Sequence, residues 1–498
     1  MKIITKAVRL FFIILTVAGF YPVFSQTNVS GGIFSNTTWT KANSPYIVTD
    51  TVVVFPGFTL TIQPGVVVKF NSAVLLELRQ AELIAMGTNT DSITFTSNVS
   101  LAPGSWEQII LNGGTMTSKF NYCNFRYATN GLFVGGGVSA IIKNSNFNFN
   151  TTGLYGGGAG IIDTCNFINN GIGGYISFSS AVMNNCNFSN NQSGLTSTAT
   201  IINNCTFNHN VGAGFSSGSG GGSGNKINNS TFNYNQTGFA NARGCSLNNC
   251  TVNHNQSGFI TGATISDDNV RVKNTTIDSN TVVGIEISNR GDSVFNCQIK
   301  YNGVGMIENN TDNAYPTIIT KNRIENNSIG LQLINTPDNI YCNDICNNKS
   351  YDLKYLATSS FTIANNYWCT TDSASVQALV YDGHNNINYG LVNFMPINTG
   401  SCNFNTSIDE HSLSDSKINI FPNPASSLLN CSISCNSTSA GKLNIFDMLG
   451  RTISSENIQL ISGVNTFSTD VSEFSSGIYF LQISETDGNA VQKKFVVK

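Results

Sequence analysis

The sequence predicts an all-β chain in which a stacked solenoid is followed by a small antiparallel sandwich. Three observations carry that expectation. Only 11 % of the 498 residues are charged, against roughly 25 % in ordinary domains, too few to solvate the outer faces of amphipathic helices. Asn is in large excess, at about 70 residues, beside 46 Gly. A segment of about 22 residues recurs through the middle of the chain. The net charge of −3, from 25 Lys+Arg against 28 Asp+Glu, excludes nucleic acid as partner, because phosphate neutralisation needs a basic surface. With 32 Phe and 16 Tyr the chain also has too many core-forming residues for disorder.

Residues 1–25 come first. Lys2, Lys6 and Arg9 precede an apolar run from Leu10 to Phe20, and Val23-Phe24-Ser25 offers a cleavage site before Gln26. This pattern reads as a secretory signal peptide. The run is shorter than the roughly 20 residues a membrane span needs and no second one follows, so no membrane span is expected in the mature protein. Export places the chain where disulfides form. Its 13 Cys are an odd number and cannot all pair internally. Cys123, Cys165, Cys186, Cys205, Cys250 and Cys297 share one repeat position and read as small buried hydrophobes. Cys342 and Cys346, Cys369 and Cys402, and Cys431 and Cys435 are the disulfide candidates. Zinc is not expected, since no CxxC pair or close Cys/His set occurs.

The repeat occupies residues 26–402 with its flanking coils. Aligned segments include Ile142-Lys-Asn-Ser-Asn-Phe147, Ile162-Asp-Thr-Cys-Asn-Phe167, Met183-Asn-Asn-Cys-Asn-Phe188 and Ile202-Asn-Asn-Cys-Thr-Phe207. Anchor positions from Cys123 to Asn343 lie 19 to 25 residues apart. Each repeat continues through an Asn to a Gly-apolar pair such as Gly153-Leu154, Gly214-Phe215 or Gly330-Leu331. A unit this small cannot close a core alone, but stacked units bury one continuous column. Asn suits the corners because it tolerates the left-handed conformation and can hydrogen-bond its equivalent in the next coil. The many Asn-x-Ser/Thr sequences are then by-products of that ladder. A leucine-rich repeat shares the opening pattern, but Leu is scarce, the second half of each unit is Gly-strand rather than helix, and the spacing wanders. A parallel β-helix accommodates all three.

The entry, Leu60-Thr-Ile-Gln-Pro-Gly-Val-Val-Val-Lys-Phe70 with Glu77-Leu78, Leu83-Ile-Ala-Met-Gly-Thr88 and Trp106-Glu-Gln-Ile-Ile110, resembles that of secreted right-handed parallel β-helix proteins of the pectate-lyase-like class. Ala364-Asn-Asn-Tyr-Trp368 and Leu391-Val-Asn-Phe-Met-Pro396 are similar to the closing coils of that family. The resemblance covers residues 45–400 and implies a right-handed parallel β-helix solenoid. It does not fix function, because the fold hosts lyases, hydrolases, epimerases and non-enzymes.

A polar linker is expected at 403–417. Over 418–498 the Asn ladder stops and alternating strands broken by turns predict a small antiparallel β-sandwich. Ile418-Asn-Ile-Phe-Pro-Asn-Pro-Ala425, Leu443-Asn-Ile-Phe-Asp-Met-Leu-Gly-Arg451 and Ser475-Ser-Gly-Ile-Tyr-Phe-Leu-Gln-Ile483, ending in Lys493-Lys-Phe-Val-Val-Lys498, closely resemble the type A C-terminal sorting domain of the type IX secretion system. That resemblance implies handling by the type IX machinery and a secreted or outer-surface destination.

Among β-helix enzymes the resemblance implies a groove lined by acids and a base. Taking the residue after each inward apolar one of the Gly-apolar strand gives Phe133, Tyr155, Ile176, Thr196, Ser216, Ala240, Ile260, Glu286, Gln332 and Lys354. Only one is an acid, whereas glycoside hydrolysis uses two carboxylates within roughly 10 Å and elimination uses a base beside a neutralising group. Acids gather later, and Glu286, Glu308 and Asp292 are the candidate catalytic residues. Asp267, Asp268 and Asp292 are the candidate calcium ligands; no other cofactor is expected. Asp278, Lys300 and Glu325 share one offset and predict a surface charge ladder. His209 and His254 are separated by the Tyr234 coil, too far apart for one metal. Gly218 to Gly224 lacks the Lys-Ser/Thr of a phosphate loop and reads as a corner insertion. Phe133 and Tyr155 are candidates for stacking on sugar rings.

Two functions compete. The first is a non-catalytic surface β-helix that binds an extracellular or surface polysaccharide or mediates adhesion; the second is a polysaccharide lyase or hydrolase using the acids between Asp267 and Asp344. A structural surface-layer component is a third. Carboxylates gathered around one groove favour the enzyme, and carboxylates spread over different faces favour the binder.

Overall fold

The computed structural model describes residues 26–402 and 419–498, apart from 159, 178–180, 219–223, 263–268, 289–290, 310–315, 336–338, 436–437, 448–451, 462 and 486–489. The expected signal peptide 1–25 and linker 403–417, Asp267, Asp268 and most of the glycine run lie outside the described residues. The chain divides into two compact units, 1–402 and 403–498.

A coil of the first unit is three short strands. In one middle coil they are Ile161–Asp163, Asn166–Ile168 and Ile172–Ile176; in the next they are Val182–Asn184, Asn187–Ser189 and Ser193–Ser197. Equivalent strands pair in parallel, Ile162 beside Met183 and Phe167 beside Phe188. First strands stack into a 14-stranded sheet, while second and third strands belong to one 29-stranded sheet. Strands of three to five residues can be this short because every coil repeats the same inward positions. Phe125, Phe147, Phe167, Phe188, Phe207 and Phe232 form one fully buried column, with successive rings 4.5 to 5.1 Å apart and nearly parallel. Truncating one such ring to Ala costs roughly 3–5 kcal/mol, because neighbours fixed by the stack cannot collapse into the void.

Single left-handed residues turn the corners. Asn144, Thr164, Asn185 and Asn204 separate first from second strands with φ near +50°, and Phe149, Asn169, Asn190, His209 and Tyr234 separate second from third. Beside the second corner runs the expected ladder. Asn191 is typical: its N–H and Nδ2 both donate to Asn210 Oδ1, at 3.0 and 3.1 Å, while Nδ2 also donates to Phe167 O at 2.9 Å. The same pattern links Asn150, Asn170, Asn191, Asn210, Asn235, Asn255, Asn280, Asn302, Asn327 and Asn348, and ends on Asp352.

The repeat cysteines require a correction. They are buried, as expected, but they are polar rungs rather than simple hydrophobes. Cys186 N–H donates to Cys205 Sγ at 3.4 Å, Cys205 N–H to Ser230 Oγ at 3.1 Å and Cys297 N–H to Asn322 Oδ1 at 3.0 Å. Each thiol in turn donates to backbone carbonyls, as Cys205 Sγ does to Asn203 O at 3.3 Å. Thiol, hydroxyl and amide are thus interchangeable in this column. Burial pushes the Cys250 thiol up to about 11 and the Cys297 thiol up to about 12, so these two stay protonated.

The closing coils depart from the repeat. Disulfides join Cys342 to Cys402 and Cys346 to Cys369. The expected partners, Cys342 with Cys346 and Cys369 with Cys402, are exchanged: Cys346 meets Cys369 because a parallel stack sets residues one coil apart, here 23, side by side, and Cys342 meets Cys402 60 residues on. Cys431 is a free, buried thiol, which removes the Cys431 and Cys435 pairing. A short helix, Ser373–Ala378, is capped by Asp372, whose carboxylate accepts from Ser375 N–H at 2.9 Å.

The second unit is antiparallel. Asn419–Phe421, Leu428–Cys435 and Gly463–Asp470 form one sheet, and Thr452–Leu460, Ser439–Asp447, Gly477–Glu485 and Ala490–Val497 form another. Leu429, Ile433, Leu443, Ile445, Leu481, Ile483 and Phe495 fill its core.

Candidate functional site

Third strands build the outward stripe. Their glycines permit close coil contact: a Cβ on Gly153 would stand 2.5 Å from Gly173 O. Inward positions carry Leu154, Leu195 and Phe215, and the residue after each points out. The structure shifts one expected member. Gly174, not Tyr175, takes the inward place opposite Leu154 and Leu195, so Tyr175 faces out and Ile176 is buried. The two adjacent glycines, Gly173 and Gly174, hid this register in the sequence. Leu195 Cδ1 would sit 2.9 Å from a Cβ on Gly174, so a neighbour occupies the space the missing side chain leaves.

Phe133, Tyr155 and Tyr175 consequently form a continuous outward row, with ring centroids 5.3 and 5.4 Å apart. Tyr155 is 36 % exposed. Thr196 and Ser216 continue the row in register with hydroxyls. The expected outward positions from Phe133 to Ile260 carry no charge; Glu286 and Lys354 follow further along the solenoid. Ile307, in register between Glu286 and Gln332, completes the later part of the stripe.

The candidate acids do not meet. Glu286 lies on the outward stripe beside Ile260 and Ile307. Glu308 occupies the inward column between Ile287 and Leu333, fully buried, where Thr317 Oγ1 approaches its Oε1 at 3.4 Å. Asp292 is buried ahead of a first strand, and its Oδ1 accepts from Val270 N–H at 2.9 Å. Asn225 Oδ1 accepts in the same way from Thr200 N–H, at 3.1 Å. Asp278 and Lys300 approach to 3.9 Å across adjacent coils, whereas Glu325 pairs with Arg323 at 3.0 Å on its own strand. The expected three-member charge ladder is therefore two separate surface pairs, each worth under about 1 kcal/mol. Among the described residues no group of three or more His, Cys, Asp and Glu side chains could hold a metal ion.

Two acids of the closing coils are perturbed. Desolvation raises the Asp352 carboxyl to about 6 despite the bonds from Asn348, and burial raises that of Asp344, against the bond donated by Ser401. Both lie at the end of the ladder, away from the outward aromatic row. Sequence reasoning missed the buried Asp382 and its partner His384, 3.0 Å away, because the closing segment has no repeat against which to align them. The Asp-Gly-His spacing of a tight side-chain-capped turn was the available signal.

Residues 419–498 match the secretion system C-terminal sorting domain, and residues 108–257 match the right handed beta helix region. The chain is a secreted right-handed β-helix protein with a type IX sorting tail. The tail sends this β-helix protein across the outer membrane, through the type IX machinery, to the cell surface or the medium. Among the described residues, no helix is long and apolar enough to cross a membrane. The β-helix protein is 32 % identical over 92 residues to an endo-acting ulvan lyase of Formosa agariphila, a match covering 18 % of this chain and 17 % of that protein. Among solved structures it is similar to the enzymatically active domain of tailspike protein 4 of bacteriophage CBA120 (13 % identity, TM-score 0.22, 89 % of this chain and 62 % of that one). It is also similar to an alginate lyase from a Paenibacillus species (15 % identity, TM-score 0.16, 68 % of this chain and 93 % of that one).

Proposed function

We propose that the β-helix binds an extracellular or cell-surface polysaccharide without cleaving it, using the outward row of Phe133, Tyr155 and Tyr175 and the hydroxyls of Thr196 and Ser216. The observation that carries this reading is the in-register run of three outward aromatic rings at 5.3 and 5.4 Å. Aromatic surface bordered by hydroxyls, with no charge along the row, suits the alternating C–H and O–H faces of sugars. The dispersal of Glu286, Glu308 and Asp292 over outward, inward and strand-leading positions supports binding over hydrolysis, which uses two facing carboxylates. The alternative, a polysaccharide lyase or glycoside hydrolase, draws on the similarity to the ulvan lyase, which spans 17 % of that enzyme.

A glycan array probed with the purified protein tests this. Binding to at least one polysaccharide is expected, and Tyr155→Ala with Tyr175→Ala weakens it about tenfold, from roughly 0.7 kcal/mol per ring. The same ligand incubated with the protein, with and without calcium, yields neither unsaturated nor new reducing ends. Released products, or an array with no binding, overturn the proposal.

A further inference from the structure

The closing coils hold a cavity of about 450 Å³, lined on its polar side by Ser360, Thr362, Gln377, His384 and Asn393 and walled by Phe361 and Phe394. It lies beside the short sheet pairing Phe361–Thr362 with Val392–Asn393, and uses no residue of the outward aromatic row. One of its side chains is held from behind. Asp382 is fully buried, and its Oδ1 accepts from His384 N–H at 2.9 Å and from the imidazole Nδ1 at 3.0 Å. Its Oδ2 accepts from Val392 N–H at 2.9 Å. Asn385 Oδ1 accepts from Asp382 N–H at 3.1 Å, which pins the turn. A carboxylate that only accepts places a proton on Nδ1, so Nε2 is the ring nitrogen left for a ligand. The buried carboxylate fixes the tautomer, while the His384 side chain remains 57 % exposed.

The lining decides what such an imidazole does. Among the described residues no Lys, Arg, Asp or Glu lines the cavity, so an elimination lacks its neutralising cation and a glycosidic hydrolysis lacks its carboxylate pair. What remains is a lining of hydroxyl, amide and imidazole groups beside the apolar Phe361, Leu391, Val392 and Phe394, in a cavity near the small end of the ~300–1,000 Å³ range of ligand sites. We propose that this cavity is a second saccharide site that takes one or two uncharged sugar units, with His384 Nε2 accepting from a sugar hydroxyl and Gln377 and Asn393 supplying amide contacts. It extends the polysaccharide reading to a different part of the solenoid and does not depend on the aromatic row.

The chain has four His, so the imidazole of His384 is directly observable in histidine-labelled full-length protein by NMR. Cellobiose, maltose, mannobiose and galactobiose are the probes. At least one is expected to shift the His384 ring resonances at millimolar concentration while leaving His209 and His254 unmoved. His384→Ala and Gln377→Ala each lower that affinity at least fivefold, and His384→Gln, which keeps an acceptor, lowers it less than His384→Ala. The shift persists in the Tyr155→Ala, Tyr175→Ala variant, which separates this site from the row; a row that fails on the array leaves the His384 result standing. Failure of all four sugars to move the His384 ring, or equal affinity in His384→Ala, overturns the proposal.

Discussion

The middle coils and the closing coils solve the same problem by different means. From Asn150 to Asn348 each coil is held by an identical amide rung and an identical buried ring or aliphatic side chain, so any one coil resembles the next. From Asn339 to Cys402 the ladder ends on a carboxylate, two disulfides join neighbouring coils, and a helix and a capped turn replace regular strands. Repetition stabilises and displays the same position many times, which suits an extended ligand lying along the stack. Irregularity lets unlike side chains converge, which is how Gln377 and His384, the latter held by the buried Asp382, come to border one cavity.

Removing the covalent bonds breaks that contrast most. Replacing Cys342 and Cys402 by Ser frees a 60-residue separation, and stability falls by about 4 kcal/mol on the loop-entropy relation. Denaturant unfolding checks this, and adding reductant to the double variant then removes only the Cys346–Cys369 bond. In the middle coils the equivalent blow is Asn235→Ala. Its Nδ2 donates to Phe207 O and Asn255 Oδ1, and its Oδ1 accepts from Asn210 N–H and Nδ2. Leaving those buried partners unmet costs about 3 kcal/mol, read as a lower midpoint in urea that reductant does not alter.

Asp352→Asn sharpens the comparison by extending the ladder one rung. Because the carboxyl is raised to about 6 in the folded chain, the native state keeps a proton between about pH 4 and 6 that the unfolded chain releases. Its contribution therefore favours folding at low pH and is lost as pH rises through 6. An amide at this position accepts from Asn348 at every pH, so the variant is more stable than the wild type at pH 7, by about 3 kcal/mol, and the two converge toward pH 4. Melting curves from pH 4 to 7 measure the difference. The smallest effect is expected for Cys205→Ser, under about 1 kcal/mol, since Ser145 and Ser230 already fill that column with the same bonds.

The difference between the two regions also explains what was legible in the sequence. Repetition exposed the inward Phe column, the Asn corners and the order of outward residues, because each position is written many times over. Tyr175 was misplaced at the one coil where glycine stands in the inward position. Cys205 could not be distinguished from a hydrophobe, since only the register places its sulfur against the amide of Cys186. Glu308 reads as a candidate catalytic acid until its register sets it between Ile287 and Leu333. The closing coils have no second copy, so the disulfide partners and the Asp382 and His384 pair followed only from three-dimensional proximity.

Side-chain oxidative footprinting of the full-length protein, with and without the polysaccharide bound most strongly on the array, tests the central claim most directly. Tyr155 and Tyr175 are expected to be protected by the ligand, while the exposed Tyr234 and Tyr301, at the other corner, react as before. Protection confined to the coils around Glu286 and Lys354, or no protection at Tyr155 and Tyr175 under saturating polysaccharide, would contradict it.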